Sequence, residues 1–251
     1  MSRPIPAAAS VRRAAPCVLA LACAPTAFAD PAAYVFVPYA TAGKVQVAWA
    51  VGTKHARDGS RETQQALSLG ATPTARWSTS VYAAWAAADG GAYAPDEWTW
   101  VNHIKLTAPG AAPVDVGLLC ELAKAHDKDA GKSVACGPTL QMDTDDLQVN
   151  VNLSLARQFD AAENAPAQLG YQWQVKRLLT QGIELGAQGF GSVGTWNHWS
   201  PAAQQQHTLG PAIFAKTALA GFPITVDAAW LFGLGDGSPK NVIRLRMQQE
   251  F

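Results

Sequence analysis

Along most of this chain hydrophobic and polar residues alternate with a period of two, the spacing at which side chains of an extended strand point to opposite faces. The clearest run is Leu147 to Leu155, L-Q-V-N-V-N-L-S-L. Leu147, Val149, Val151, Leu153 and Leu155 share one face, while Gln148, Asn150, Asn152 and Ser154 share the other. Phe222, Ile224, Val226, Ala228, Trp230 and Phe232 repeat the pattern opposite Thr225 and Asp227, as do Val45, Val47, Trp49 and Val51 around Gln46. The chain ends N-V-I-R-L-R-M-Q-Q-E-F. Asn241, Ile243, Leu245, Met247 and Phe251 fall on one face, and Val242, Arg244, Arg246, Gln248 and Glu250 fall opposite. A helix would group its hydrophobics every three or four residues, so these runs are strands.

Cutting the chain at its polar and Gly/Pro-rich segments predicts twelve strands, near 44–52, 64–71, 75–86, 96–107, 113–125, 132–142, 147–159, 168–179, 182–193, 207–217, 222–234 and 240–251. Short connections (72–74, 108–112, 143–146, 180–181, 218–221) alternate with generally longer, more polar ones (53–63, 87–95, 126–131, 160–167, 194–206, 235–239). Short turns at one end and longer loops at the other are the pattern of an all-β, antiparallel up-and-down transmembrane barrel, here of about 12 strands. A strand face as charged as that of 241–251 suits a sheet with lipid on one side and a polar interior on the other. A soluble β-sandwich or barrel would also alternate, with the polarity reversed. The stripe of Trp49, Trp77, Trp85, Trp98, Trp100, Trp173 and Trp230 on the apolar face fits either locally. The loop alternation and the bare aromatic terminus favour the membrane.

Three stretches depart from the rule. Ala33 to Tyr39, A-Y-V-F-V-P-Y, is apolar on both faces and contains Pro38. It is left out of the lipid-facing wall, as an extension at the periplasmic end or packed in the lumen. The rival reading is an imperfect first strand in a wall of up to 14. Gly137-Pro138 and Gly210-Pro211 each lie near the start of a strand that follows a long loop, and each Pro removes a ladder donor, so bulges are expected there.

The first residues carry a different signal. Arg3, Arg12 and Arg13 precede an apolar run from Ala14 to Ala24 and an A-x-A site at Ala27-Phe28-Ala29, the layout of a cleaved secretory signal peptide. A twin-arginine reading of Arg12-Arg13 and a lipoprotein reading of Cys23 fit less well. The expected division is a signal peptide over 1–29, an N-terminal extension over 30–43 and the barrel over 44–251, with export through the inner membrane. Removal of 1–29 takes away three Arg, so 19 − 3 = 16 basic residues face 19 acidic ones, a net charge of −3. That charge excludes the basic footprint of a nucleic-acid-binding protein, and no run of 18 apolar residues offers a transmembrane helix.

Candidate chemistry is sparse. Cys120 and Cys136 fall opposite each other on consecutive strands, on the apolar face. A cross-strand disulfide and two membrane-buried thiols acting as small hydrophobes both fit. His198 and Ser200 have the H-x-S spacing of outer-membrane lipid hydrolases, in which the His draws the Ser proton. Pro201 follows at once and no carboxylate lies downstream until Asp227, so an interfacial loop carrying Trp196 and Trp199 is the preferred reading. A binding role for the Trp- and Gln-rich loop 194–206 is a further alternative. The His and Met residues are scattered, which supports no metal site, and no cofactor is expected. What remains is the polar face. Parity directs Lys105, Glu121, Gln148, Asn150, Asn152, Glu184, Asp227, Arg244 and Arg246 into the lumen, with Arg76, Glu97, His103, Asp115, Gln172, Gln174, Lys176, Gln188 and Lys216. Both signs occur, so a salt-bridged lumen or a narrow pore without a single-sign ring is expected.

The signal peptide, the alternating strands, the loop asymmetry and terminal Phe251 resemble the outer-membrane β-barrel proteins of Gram-negative bacteria, small proteobacterial barrels of no established function among them. The resemblance implies that Ile243, Leu245, Met247 and Phe251 form the signal read by the barrel-assembly machinery, and that outer-membrane lipid is the main partner. It names no solute and leaves the oligomeric state open. The function expected is an integral outer-membrane barrel, structural or a narrow channel for small solutes, without a catalytic site.

Overall fold

The structure is a computed structural model and describes residues 30–37, 41–162, 166–219 and 221–251. The expected signal peptide, with Cys23, and Pro38 and Tyr39 of the apolar segment lie outside the described residues.

Twelve long strands form the wall: β1 (Val45–His55), β2 (Arg61–Thr74), β3 (Trp77–Ala88), β4 (Ala94–Lys105), β5 (Asp115–Ala125), β6 (Lys132–Asp143), β7 (Leu147–Phe159), β8 (Gln168–Thr180), β9 (Ile183–Thr195), β11 (Gln206–Leu219), β12 (Phe222–Gly233) and β13 (Asn241–Glu250). A two-residue arm, β10 (His198–Trp199), pairs back on β9 within the loop that follows it. Each wall strand is antiparallel to its sequence neighbours in the wall, and β13 pairs with β1 from Gln46↔Glu250 to His55↔Asn241. The sheet is therefore a closed 12-strand barrel without a free edge, which satisfies its backbone groups internally. Phe251 extends the seam: its N–H donates to the Val45 carbonyl at 2.9 Å and its carbonyl accepts from the Val45 N–H at 3.4 Å.

The outward face carries the apolar set. Leu69 is 61% and Trp98 59% exposed, and Trp230, Ile213, Ile243 and Met247 are exposed beside them. Where outward residues are polar they bond along the wall: the indole N–H of Trp77 donates to Asn102 at 3.2 Å and that of Trp100 to Thr79 at 2.8 Å. A belt this apolar on every wall strand is far larger than a water-facing surface tolerates, and it is the surface a lipid-facing barrel needs.

Several boundaries shift. β1 and β2 run farther than their hydrophobic pattern, so the first long loop shrinks to 56–60. The turn between β4 and β5 grows to 106–114, which breaks the strict short–long alternation. The Asp115 carboxylate holds that turn by accepting from the Gly110 N–H at 3.1 Å, and Leu106 N–H donates to Val116 at 2.9 Å. Arg76 sits in the exposed β2–β3 turn rather than on the inner face. The bulges expected at Pro138 and Pro211 do not form. Both prolines keep the register of their strands, because Gly137 and Gly210 let the next strand approach so closely that a Cβ would overlap the Leu153 or Trp230 carbonyl. Register shifts fall instead at Ala71/Thr74, Ala84/Trp85, Leu169/Gly170 and Leu178/Thr180.

Cys120 and Cys136 face each other in register on β5 and β6 and are joined as a disulfide, with Cα atoms 4.2 Å apart, on the outward face. The bond closes a loop of sequence separation 16, for which chain entropy assigns up to about 3 kcal/mol. A Cys120→Ser, Cys136→Ser double variant is expected to keep the barrel, shown by an intact heat-modifiable gel shift, and to melt earlier in detergent. Failure of the double variant to fold would mean that the bond is needed to set the β5–β6 register.

Candidate functional site

The lumen is the site, and its two sides differ. The inner faces of β1–β3 carry mostly small residues, Ala48, Ala50 and Gly52, then Ala66, Ser68 and Gly70, then Ser78, Ser80 and Ala84, with Gln46, Gln64 and Tyr82 as the larger ones. The inner faces of β6–β9 carry long amides. Asn150 donates to Gln141 (2.6 Å), Gln174 to Asn150 (2.9 Å), Gln188 to Gln174 (3.2 Å), and Arg244 to Gln188 (2.8 Å), all buried. Gln141 donates onward to Asp143 at 2.7 Å and the other amides both donate and accept within this chain, so a polar wall is held rigid without an unpaired amide at its joints. Arg244 closes it by lying 4.0 Å over the Phe190 ring. His103 bonds Thr139 at 2.9 Å in the same layer, in space left by Gly117.

Residues 30–37 run through the lumen along the small-residue side. Asp30 lies near the long-loop end, and at the short-turn end Gly43 and Lys44 bond Thr72 at 2.7 and 2.9 Å before β1 begins. Val35 is 5% exposed, in an apolar cluster with Phe190, Phe214, Leu231 and Val242. Burying such a side chain contributes about 1.5–3 kcal/mol. Tyr34 lies under Arg246 (4.2 Å), and Phe36 packs on His103 with ring centroids 4.8 Å apart. Asn152 donates to the Phe36 carbonyl at 3.0 Å, and the Ala32 N–H donates to Gln64 at 3.4 Å.

The segment leaves two spaces. Toward the long loops is a small one of about 50 Å³ among Asp30, Gln64, Tyr82, Glu97, Glu121 and Gln172. Toward the short turns is a cavity of about 320 Å³ lined by Gln46, Ser68, Ser80, Gln148, Lys176, Glu184, Lys216, Asp227, Arg246 and Gln248, with Phe36 and Phe214 as its apolar part. Its charges are paired: Glu184 with Lys216 at 3.1 Å and Lys176 at 4.0 Å, and Asp227 with Arg246 at 3.9 Å. Three cations face two carboxylates, so no single-sign ring forms.

Of the polar residues assigned to the lumen from parity, Gln148, Glu184, Asp227 and Arg246 meet in the larger cavity, and Glu121 lines the smaller. Asn150, Asn152 and Arg244 are buried in the amide wall, and Lys105 is buried beside the β4–β5 turn. Ile243, Leu245 and Met247 alternate with these on the outer face of the last strand, and Phe251 follows it, exposed. Reading the inner face from its polar residues missed the apolar Phe190, Phe214 and Leu231, although they share the parity of Gln188, Lys216 and Asp227. Parity placed Val242 on the inner face without showing what covers it.

Outside the lumen, β10 holds His198 exposed. The Ser200 N–H donates to Val193 at 2.9 Å and its carbonyl accepts from Gln205 at 2.8 Å. Among the described residues no hydrogen bond joins the His198 and Ser200 side chains, and Trp199 is 61% exposed. No three His, Cys, Asp or Glu side chains among the described residues group as a metal site. The long loops are tied across the seam: Arg57 donates to the carbonyls of Ser238 (3.1 Å) and Gly235 (2.8 Å). The Ser60 hydroxyl and N–H, at 2.7 and 2.9 Å, lower the pKa of Asp58 and shape the loop that presents Arg57.

A closed antiparallel barrel with an apolar outer belt and a polar lumen is the architecture of outer-membrane porins and channels. The structure is similar to the COG4313 outer-membrane channel from Pseudomonas putida F1, with a TM-score of 0.62 at 13% identity, over 88% of this chain and 99% of that one. It is also similar to the KdgM porin (TM-score 0.57, 9% identity, 82% and 99% of the two chains). A third likeness is the translocator domain of the autotransporter NalP from Neisseria meningitidis (0.53, 11%, 85% and 90%). No protein-family model and no curated protein matches the chain in sequence. What is shared is the fold.

Proposed function

We propose that this protein is an integral outer-membrane barrel that passes small polar solutes through a narrow lumen. The observation that carries this reading is the cavity of about 320 Å³, lined by amides, hydroxyls and paired charges, inside a wall whose outer face is apolar. Twelve strands lie between the 8-strand barrels filled by side chains and the 16–18-strand porins that enclose a wide channel, so the pathway is narrow. The porin and channel folds it resembles support the same reading. Insertion through the barrel-assembly machinery, guided by Ile243, Leu245, Met247 and Phe251, rests on the resemblance of that strand to the family pattern.

The test is planar-bilayer recording and liposome swelling with the refolded protein, made both with residues 30–37 and without them. A small conductance and uptake of small solutes in at least one form are expected. Cation/anion selectivity should be weak, because Glu184 and Asp227 offset Lys176, Lys216 and Arg246. A barrel that is folded by its gel shift yet conducts in neither form would remove the channel reading.

A further inference from the structure

We propose that Asp30–Val37 is a displaceable internal plug, seated against Gly52, which shuts the channel while in place and opens it on withdrawal toward the short-turn end. The proposal rests on the channel reading and adds its regulation. The seat is built from groups on several strands. A Cβ placed on Gly52 would overlap the Pro31 carbonyl, so the wall gives up a side chain where the segment's backbone passes. The backbone of Gly52 lies outside the left-handed region, so conformation does not call for glycine there. The neighbouring inner residues Ala48, Ala50, Ala66 and Ser68 are small, and the segment occupies the room they leave.

Its attachments are specific yet few. Val35 enters the apolar cluster, Phe36 meets His103 and Asn152, Tyr34 lies under Arg246, and the Ala32 N–H reaches Gln64. No described residue of 30–37 pairs with a wall strand in the β-ladder, whereas every wall strand is paired on both sides. The wall is therefore complete without the segment, and removing it breaks no rung of the barrel. The anchor lies at one end: Gly43, at φ +80°, and Lys44 are fixed on Thr72, so a released segment stays tethered beside the short-turn mouth. Withdrawal would join the two lumen spaces that Tyr34 and Phe36 now separate.

The experiment compares three refolded proteins in planar bilayers: the chain from Asp30 onward, the same chain lacking 30–37, and Gly52→Val. All three are first shown to be barrels by heat-modifiable gel shift. The deletion and Gly52→Val are expected to conduct several-fold more than the unaltered protein, and a synthetic peptide of residues 30–37 is expected to return the deleted barrel to low conductance. Should Gly52→Val fail to fold, the deletion and peptide arms decide alone. Equal conductance in the unaltered and deleted proteins would overturn the plug while leaving the channel standing. Conductance in none would end the channel reading and the plug with it.

Discussion

Deletion of Phe251 is expected to spare export and sharply reduce the amount of barrel in the outer membrane, while the same protein still refolds in detergent. The two halves of this expectation follow from different magnitudes. Phe251 adds two backbone hydrogen bonds to the seam, with Val45, and its ring packs 5.0 Å from that of Phe222. Each bond is worth about 0.5–1.5 kcal/mol net, and the ring pair adds about 0.5–1.5 kcal/mol beyond its burial. The seam keeps every rung from Gln46↔Glu250 to His55↔Asn241, so folding in vitro loses a few kcal/mol and survives. If Phe251 is read as part of an assembly signal, the loss in cells greatly exceeds that stability change. Fractionation and gel shift of the cellular protein, set beside detergent refolding, separate the two. Outer-membrane levels that fall no further than the loss of stability would leave the signal role unsupported.

Leu153→Arg is expected to destabilise the barrel in phospholipid vesicles by about 2–4 kcal/mol, the cost of a cation near the bilayer midplane on the lipid face. Leu153 lies at the middle of β7, outward and 42% exposed. On a surface that meets water, an Arg there would change stability by about 0.5 kcal/mol or less. The difference is large enough for denaturant unfolding to tell the two environments apart. Leu153→Ala serves as a control for lost apolar contact. Equal stability of the Arg and Ala variants would mean that this face is wet, and the membrane reading of the belt would fall with it.

How much of the molecule was legible depended on how sharply the two faces of each strand differ. β7 begins at Leu147 and ends at Phe159 as its alternation predicts, since nearly every residue there declares a side. β1 and β2 run past their predicted ends because Thr53, His55, Arg61 and Thr63 give no apolar contrast, although they pair in register. The Gly-Pro pairs misled for a related reason. A missing N–H is visible in sequence, but the close approach that Gly137 and Gly210 permit depends on the neighbouring strand. The inner face was legible where it is charged or amide-bearing, and not where it is apolar. Phe190, Phe214 and Leu231 share the parity of Gln188, Lys216 and Asp227, but their side chains by themselves look like lipid-facing ones.

The sequence by itself determined the period of two, the outward apolar belt and the inward placement of residues such as Asn150 and Arg244. These are local consequences of backbone geometry, settled within each strand. Only the tertiary structure decided what fills the lumen. The small faces of β1–β3, the amide chain from Gln141 to Arg244 and the apolar cluster around Val35 come from strands far apart in sequence. The space between them, and its occupation by Asp30–Val37, exists only once the wall has closed.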